Sequence, residues 1–150
     1  MTPPVHPAGC PRVVARKYHQ LSRSVTDDDR NRNNRFEVAS QMNARMGAGP
    51  GPFWGCPPSA ATETLSTTKP PACPVAEWRT VESLLRREGH RPFSSWQLLG
   101  AGAVGSQSLL GIPMIVRLRE RFAGRVSVWP FNVDVGAIVV AEVWPSLLPM

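Results

Sequence analysis

This sequence is short of acids, of thiols and of alternating strand-like runs, and each shortage excludes something. Its three cysteines, Cys10, Cys56 and Cys73, are odd in number and widely spaced. No Cys-x-x-Cys occurs, and His6, His19 and His90 stand at no ligand spacing from the cysteines, which argues against structural zinc. Reduced thiols in a cytoplasmic protein are the simplest expectation. Met1 to Pro11 lacks a charged-then-apolar pattern and holds four prolines, so a secretion signal is not expected. Acids number 11 against 17 Lys and Arg, a net charge of +6. That surplus is spread along the chain, with a group at Arg117, Arg119, Arg121 and Arg125. No stretch alternates basic and aromatic residues, so the charge predicts a solvated surface with weak, non-specific attraction to nucleic acid.

What is abundant is punctuation. Sixteen prolines and twelve glycines break the chain, the prolines mostly before residue 75. Residues 1–25 show no period of either kind and are expected to be disordered or loosely attached. Residues 26–150 read as a single partial domain with a Pro/Gly-rich loop at 47–74. Thr26-Asp27-Asp28-Asp29 resembles a capped helix start. Phe36, Ala39, Met42 and Met46 follow at three- and four-residue steps, one apolar helical stripe that Gly47 should end, with Asn31, Asn33, Asn34 and Asn43 off it. In the loop, Phe53-Trp54 should be buried as a hydrophobic anchor or a ligand-covering flap, and Ser59 to Pro74 should be mobile. Pro74 suits a helix start, Trp78, Val81 and Leu85 form a further stripe, and Gly89 is a stop.

The stretch from Pro92 to Val116 carries no charge. Three readings compete for it. Gly100-x-Gly102-x-x-Gly105 matches a dinucleotide-binding fingerprint, which would make this a nucleotide-binding module. Against it, Ser94 to Leu99 lacks a β-branched run, Trp129-Pro130 stands where a ribose-binding acid should be, and Pro113 interrupts the crossover helix. A single membrane span fits the length, but Gln107, Ser106, Ser108 and Pro113 weaken it, and no membrane partner is expected. The third reading, a buried soluble helix broken near Gly111-Ile112-Pro113, accounts for most of the residues.

Two strands should follow. Val126 and Val128 alternate with Ser127 and Trp129, a half-buried pattern, while Ala137 to Ala141 is apolar on both faces, as in a central strand. The connection between them is too short for a helical crossover, so an antiparallel pair is expected. Glu142 then ends the second strand, where a buried carboxylate must be paired or working. The fold class is therefore α+β, helical segments plus a short antiparallel β unit.

The strings Asn31-Arg32-Asn33-Asn34-Arg35-Phe36-Glu37-Val38-Ala39, Gly49-Pro50-Gly51-Pro52-Phe53-Trp54-Gly55-Cys56-Pro57, Arg91-Pro92-Phe93-Ser94-Ser95-Trp96-Gln97-Leu98-Leu99-Gly100-Ala101-Gly102-Ala103-Val104-Gly105-Ser106-Gln107 and Ala141-Glu142-Val143-Trp144-Pro145-Ser146 resemble a bacterial family of uncharacterised proteins. Its members are similar to ribonuclease H-like predicted nucleases, and some carry cobalamin or molybdopterin biosynthesis labels. The resemblance implies an incomplete ribonuclease H-like α/β domain, truncated around an internal piece. It also implies two-metal hydrolysis with Mg or Mn, for which Glu142 is the one catalytic candidate. The family's first strand with its leading Asp has no counterpart here. The expectation is thus a non-catalytic or remnant soluble protein without a cofactor. The alternative is a metal-dependent nuclease-like hydrolase using Glu142. Lost sheet neighbours would leave edges open to self-association.

Overall fold

A computed structural model of the chain describes residues 21, 23–47, 49–73, 75–129 and 136–142. In order these form α1 (Arg35–Met46), a 3-10 turn (Pro58–Ala60), α2 (Thr80–Arg87), α3 (Val104–Arg121), β1 (Val126–Trp129) and β2 (Ile138–Ala141). Three α-helices and a two-stranded sheet make the class α+β, as expected. The chain gathers into two compact units, residues 1–113 and 114–150, the division falling inside α3.

The first unit is built on the predicted stripe of α1. Ala39 is fully buried in a core with Phe53, Cys56, Leu65, Leu98 and Leu109, and Phe36, Met42 and Met46 pack against that core. Phe53, Cys56 and Leu65 all come from the Pro/Gly-rich loop, so the loop is one wall of the core. Phe53 meets Trp96 edge to face, centroids 5.0 Å apart. The hydrophobic-anchor reading of Phe53 is borne out.

Polar bonds hold that wall to α1. Asn43, fully buried, donates from Nδ2 to the carbonyls of Phe53 at 2.9 Å and Thr64 at 2.6 Å, and its Oδ1 accepts the Phe53 N–H at 2.9 Å. Ser40 adds hydroxyl contacts to Thr62 at 2.8 Å and Thr64 at 2.9 Å. Within Ser59 to Pro74, the segment expected to be mobile, Thr62 and Thr64 are thus bound to α1 and Leu65 is a core residue. Asn43 also lies on the apolar stripe, four residues after Ala39 and three before Met46.

Several local expectations need correction. Thr26 to Asp29 does not start a helix. Asp28 instead folds its carboxylate back on the chain, Oδ1 accepting the N–H of Arg30 at 3.0 Å and of Arg32 at 2.8 Å. Oδ2 takes the Arg32 Nε–H at 2.8 Å, and Asp27 pairs with Asn33 in an antiparallel bridge. Short acidic side chains compete with helix by such bonds, so α1 waits until Arg35. Asp28 is held below the ordinary carboxylate range, chiefly by the Arg32 N–H, with burial opposing and the Arg32 side chain and Arg30 N–H assisting. Gly47 does end α1, but with extended backbone. Residues 1–20 lie outside the described residues, as does Pro74. Within the expected loose segment, Val25 is buried and Leu21 packs on the core. The stripe assigned to α2 also fails: Val81 is 52 % exposed, Trp78 precedes the helix, and the buried side chain of α2 is Glu82. No break appears at Gly111 to Pro113. Helix α3 runs on, with Pro113 buried inside it; the ring removes the hydrogen bond to the Leu109 carbonyl and crowds that oxygen, yet the helix continues to Arg121.

In the second unit β1 and β2 pair in parallel, Val126 opposite Ile138 and Trp129 opposite Ala141. The antiparallel expectation is wrong for a reason of length. A four-residue strand spans about 13 Å. The eight residues from 130 to 137 can reach at least about 26 Å, enough to return the chain without a helix. Nor is the burial as expected. Val126 and Ser127 are buried while Trp129 is exposed, and β2 is exposed at Ile138, Val139 and Ala141, not central.

Replacing Asn43 with Ala should lower unfolding free energy by about 3 kcal/mol, since it leaves the Phe53 N–H and C=O without their side-chain partner and takes from the Thr64 carbonyl one of two donors, the other being the Gly51 N–H. Urea denaturation measures this. Gln41→Ala, on the exposed face, should change it by less than about 0.5 kcal/mol.

Candidate functional site

The glycine fingerprint comes first. Residues 94–103 form turns, and the contacts of Gln97 are an isolated bridge to Trp54, not a buried strand delivering the glycines. Gly102, with φ +77°, lies under the Phe93 ring, which a Cβ would meet at 2.5 Å. Gly105 sits in the first turn of α3, donating its N–H to the Gln97 carbonyl at 2.9 Å. A Cβ there would stand 2.6 Å from that same oxygen. Ser106 Oγ donates to the Leu98 carbonyl. The first N–H and hydroxyl groups of α3 are thus turned onto the preceding turn, and the glycines serve close packing.

Glu142 follows β2 and is exposed, so the sheet does not bury it as expected. Trp144, expected on its face, lies outside the described residues. A divalent cation of the kind the family resemblance implies takes about six oxygen ligands, and one carboxylate supplies at most two. Among the described residues no group of three or more His, Cys, Asp or Glu side chains is placed to hold a metal ion. Among the described residues, Glu142 is not joined by the further acids that a two-metal centre needs.

Sequence reasoning missed Glu82. Its carboxylate, 4 % exposed, accepts from Arg79 Nε and Nη2 and Ser95 Oγ on Oε1, at 2.7, 2.7 and 2.9 Å. Oε2 takes the Arg79 N–H at 2.7 Å. Burial alone would raise this carboxyl. The hydrogen bonds of Arg79 and Ser95, with the Arg79 charge, outweigh it and hold the group below its ordinary value. This acid caps α2 and ties it to the turn at Ser95. The signal was the acid at the third helical position, where a carboxylate reaches back to the cap.

The opening that remains lies above the core of the first unit. It is a groove of about 170 Å³ walled by Pro52, Trp54, Pro70 and Trp96, with Lys69 and Glu77 at its rim. Its walls are fixed by backbone bonds: Trp54 N–H to Trp96 O at 3.1 Å, Leu98 N–H to Trp54 O at 2.9 Å and Gly55 N–H to Ser66 O at 2.9 Å. Trp54 thereby bridges two extended segments, at Ser66 and at Gln97. Trp96 spends its indole N–H on the Ala76 carbonyl at 3.0 Å. Lys69 Nζ meets Glu77 Oε2 at 2.6 Å. Cys73, a free thiol, also lines the groove. Cys56 is free but buried, and burial raises its thiol above the ordinary value, which suits packing. Among the described residues no helix is long and apolar enough to cross a membrane.

Two predictions separate packing from chemistry here. Gly105→Ala should cost about 1–3 kcal/mol in thermal unfolding, as overpacking does, whether or not nucleotide is present. For Glu82 the lowered folded-state pKa means that its stabilisation is present above the ordinary value of 4.5 and is lost as pH falls through the lowered one. Glu82→Gln should therefore destabilise by about 2 kcal/mol at neutral pH, with the gap from wild type closing on acidification. No protein-family model, curated protein or solved structure matches the chain, so these geometries carry the functional argument by themselves.

Proposed function

We propose that the chain is a cytoplasmic binding protein, a non-catalytic relative of the ribonuclease H-like family its strings resemble. Its recognition site is the tryptophan–proline groove, and the ligand is an extended, proline-containing peptide segment. The carrying observation is that Trp54 and Trp96 are held beside Pro52 and Pro70 around one opening by main-chain bonds. A groove walled by fixed aromatic rings suits a polyproline II segment, which is already extended and loses little entropy on docking. The Trp54 indole makes no hydrogen bond to the described residues and can donate to a peptide carbonyl. The Lys69–Glu77 pair gives the rim a polarity that can orient the segment. The strongly held acids, Asp28 and Glu82, already have structural partners.

Titration of proline-rich peptides against intrinsic tryptophan fluorescence tests this. Trp54→Ala should weaken binding tenfold or more when measured below its melting temperature, which falls because most of the ring is covered; Trp54→Phe, which keeps a ring there, should lose less stability and still bind more weakly than wild type. Undiminished binding by Trp54→Ala, or no binding of any such peptide, defeats the reading. Hydrolysis of a labelled oligonucleotide that requires Mg or Mn and vanishes in Glu142→Gln would make the chain the nuclease-like hydrolase instead.

A further inference from the structure

In the second unit several large apolar side chains are turned outward, although Val126 is buried. Trp129 is 62 % exposed and Val139 55 %, and Met114 and Ile138 are exposed as well. The register sorts them by face. Ile138 donates its N–H to the Arg125 carbonyl at 2.9 Å, so the ladder reaches back to Arg125. Alternation then puts Ser127 and Trp129 on the face that carries Val139 and Ala141, and Arg125 ends the turn that leads into β1. Trp129 stands beside Ala141, a side chain too small to cover an indole, and Val139 is its diagonal neighbour. Arg125 stands beside the opposite end of β1 from Trp129, about 13 Å away along the chain. Arg119 and Arg121, also exposed, precede it in the chain, while the described acids of this unit are Glu120 and Glu142.

We propose that this face docks reversibly on the surface of an anionic phospholipid bilayer. Trp129 and Val139 enter the boundary between headgroups and acyl chains, and Arg125, with Arg121 at the helix end, holds lipid phosphates. Tryptophan is the side chain best suited to that boundary, and guanidinium groups bind phosphate with two parallel hydrogen bonds. Anionic headgroups supply the complementary charge. A nucleic acid would use the same arginines, but stacking platforms need successive rings, and among the described residues of the two strands Trp129 is the one aromatic side chain. Val139 contributes nothing to base stacking and favours lipid. The sequence weighed a membrane only as a span of the Pro92–Val116 run. Surface docking needs no span.

Co-sedimentation of the full chain with vesicles decides the matter, using phosphatidylcholine alone and phosphatidylcholine mixed with phosphatidylglycerol. The expected result is binding to the mixed vesicles only, released by high salt. Trp129→Ser and Val139→Ser should each weaken it severalfold, and Arg121→Gln and Arg125→Gln by roughly fivefold each. Lipids brominated near the headgroup should quench wild-type fluorescence and quench Trp129→Ser much less. Since Trp129 is exposed, its replacement should leave the melting temperature unchanged, which separates lost docking from lost folding. Failure to bind mixed vesicles, equal binding to neutral ones, or undiminished binding by Trp129→Ser overturns the proposal. So does tight binding of a single-stranded oligonucleotide, lost in Trp129→Ser, without vesicle binding; the face would then belong to nucleic acid.

Discussion

The buried amide of Asn43 is the constraint on which the first unit depends. A loop rich in proline and glycine makes few regular hydrogen bonds of its own, so its carbonyls and N–H groups need partners from elsewhere once aromatic residues pull it inward. Asn43 gives three of them at once, to Phe53 and Thr64, from a position locked inside a helix. An apolar residue there would fill the space but leave the Phe53 N–H and C=O unpaired, at a cost of about 1–3 kcal/mol each, while Thr64 would keep the Gly51 N–H. With them satisfied, Phe53 and Leu65 can be core residues although neither lies in a helix or strand. The groove inherits its rigidity from this arrangement, because Trp54 follows Phe53 directly and its main chain is caught between Ser66 and Gln97.

How much of this the sequence disclosed depended on the range of the forces involved. The stripe of α1, the burial of Phe53 and the helix end before Gly89 were legible because apolar periodicity and capping are local. The turn at Asp28 was misread because an acid before a helix and an acid closing a turn look alike in one dimension. The arithmetic of the carboxylate bonds to Arg30 and Arg32 settles it only in three. Asn43 could have been found, since it sits squarely on the Ala39–Met46 stripe and a polar residue there signals a buried network. The partners, Phe53 and Thr64, could not, for nothing in their spacing points to α1.

The candidate site was less legible than the fold. Glycines at 100, 102 and 105 have the spacing of a phosphate loop, yet the same residues serve equally where a helix start must nestle against a turn. The Phe93 ring beside Gly102 and the Gln97 carbonyl against Gly105 show packing taking the place that a ligand would need. Glu142 was singled out on the premise that its strand was central. Once β2 is exposed, the energetic argument for a paired or working carboxylate weakens, because an acid at an exposed strand end is solvated at little cost.

The two units solve opposite problems. In the first, scattered polar groups are gathered inward until an irregular loop behaves as core. In the second, four-residue strands form a parallel pair, a pairing that in larger proteins is covered on both faces. Here Val139 and Trp129 remain in solvent on one face and Ile138 on the other. A two-stranded sheet is marginal by itself, so burial of these side chains against any partner would stabilise the unit and the contact together. That coupling favours a partner able to accept both indole and aliphatic groups beside arginine, and a lipid surface, soft enough to follow a twisted sheet, meets the requirement without needing a complementary shape.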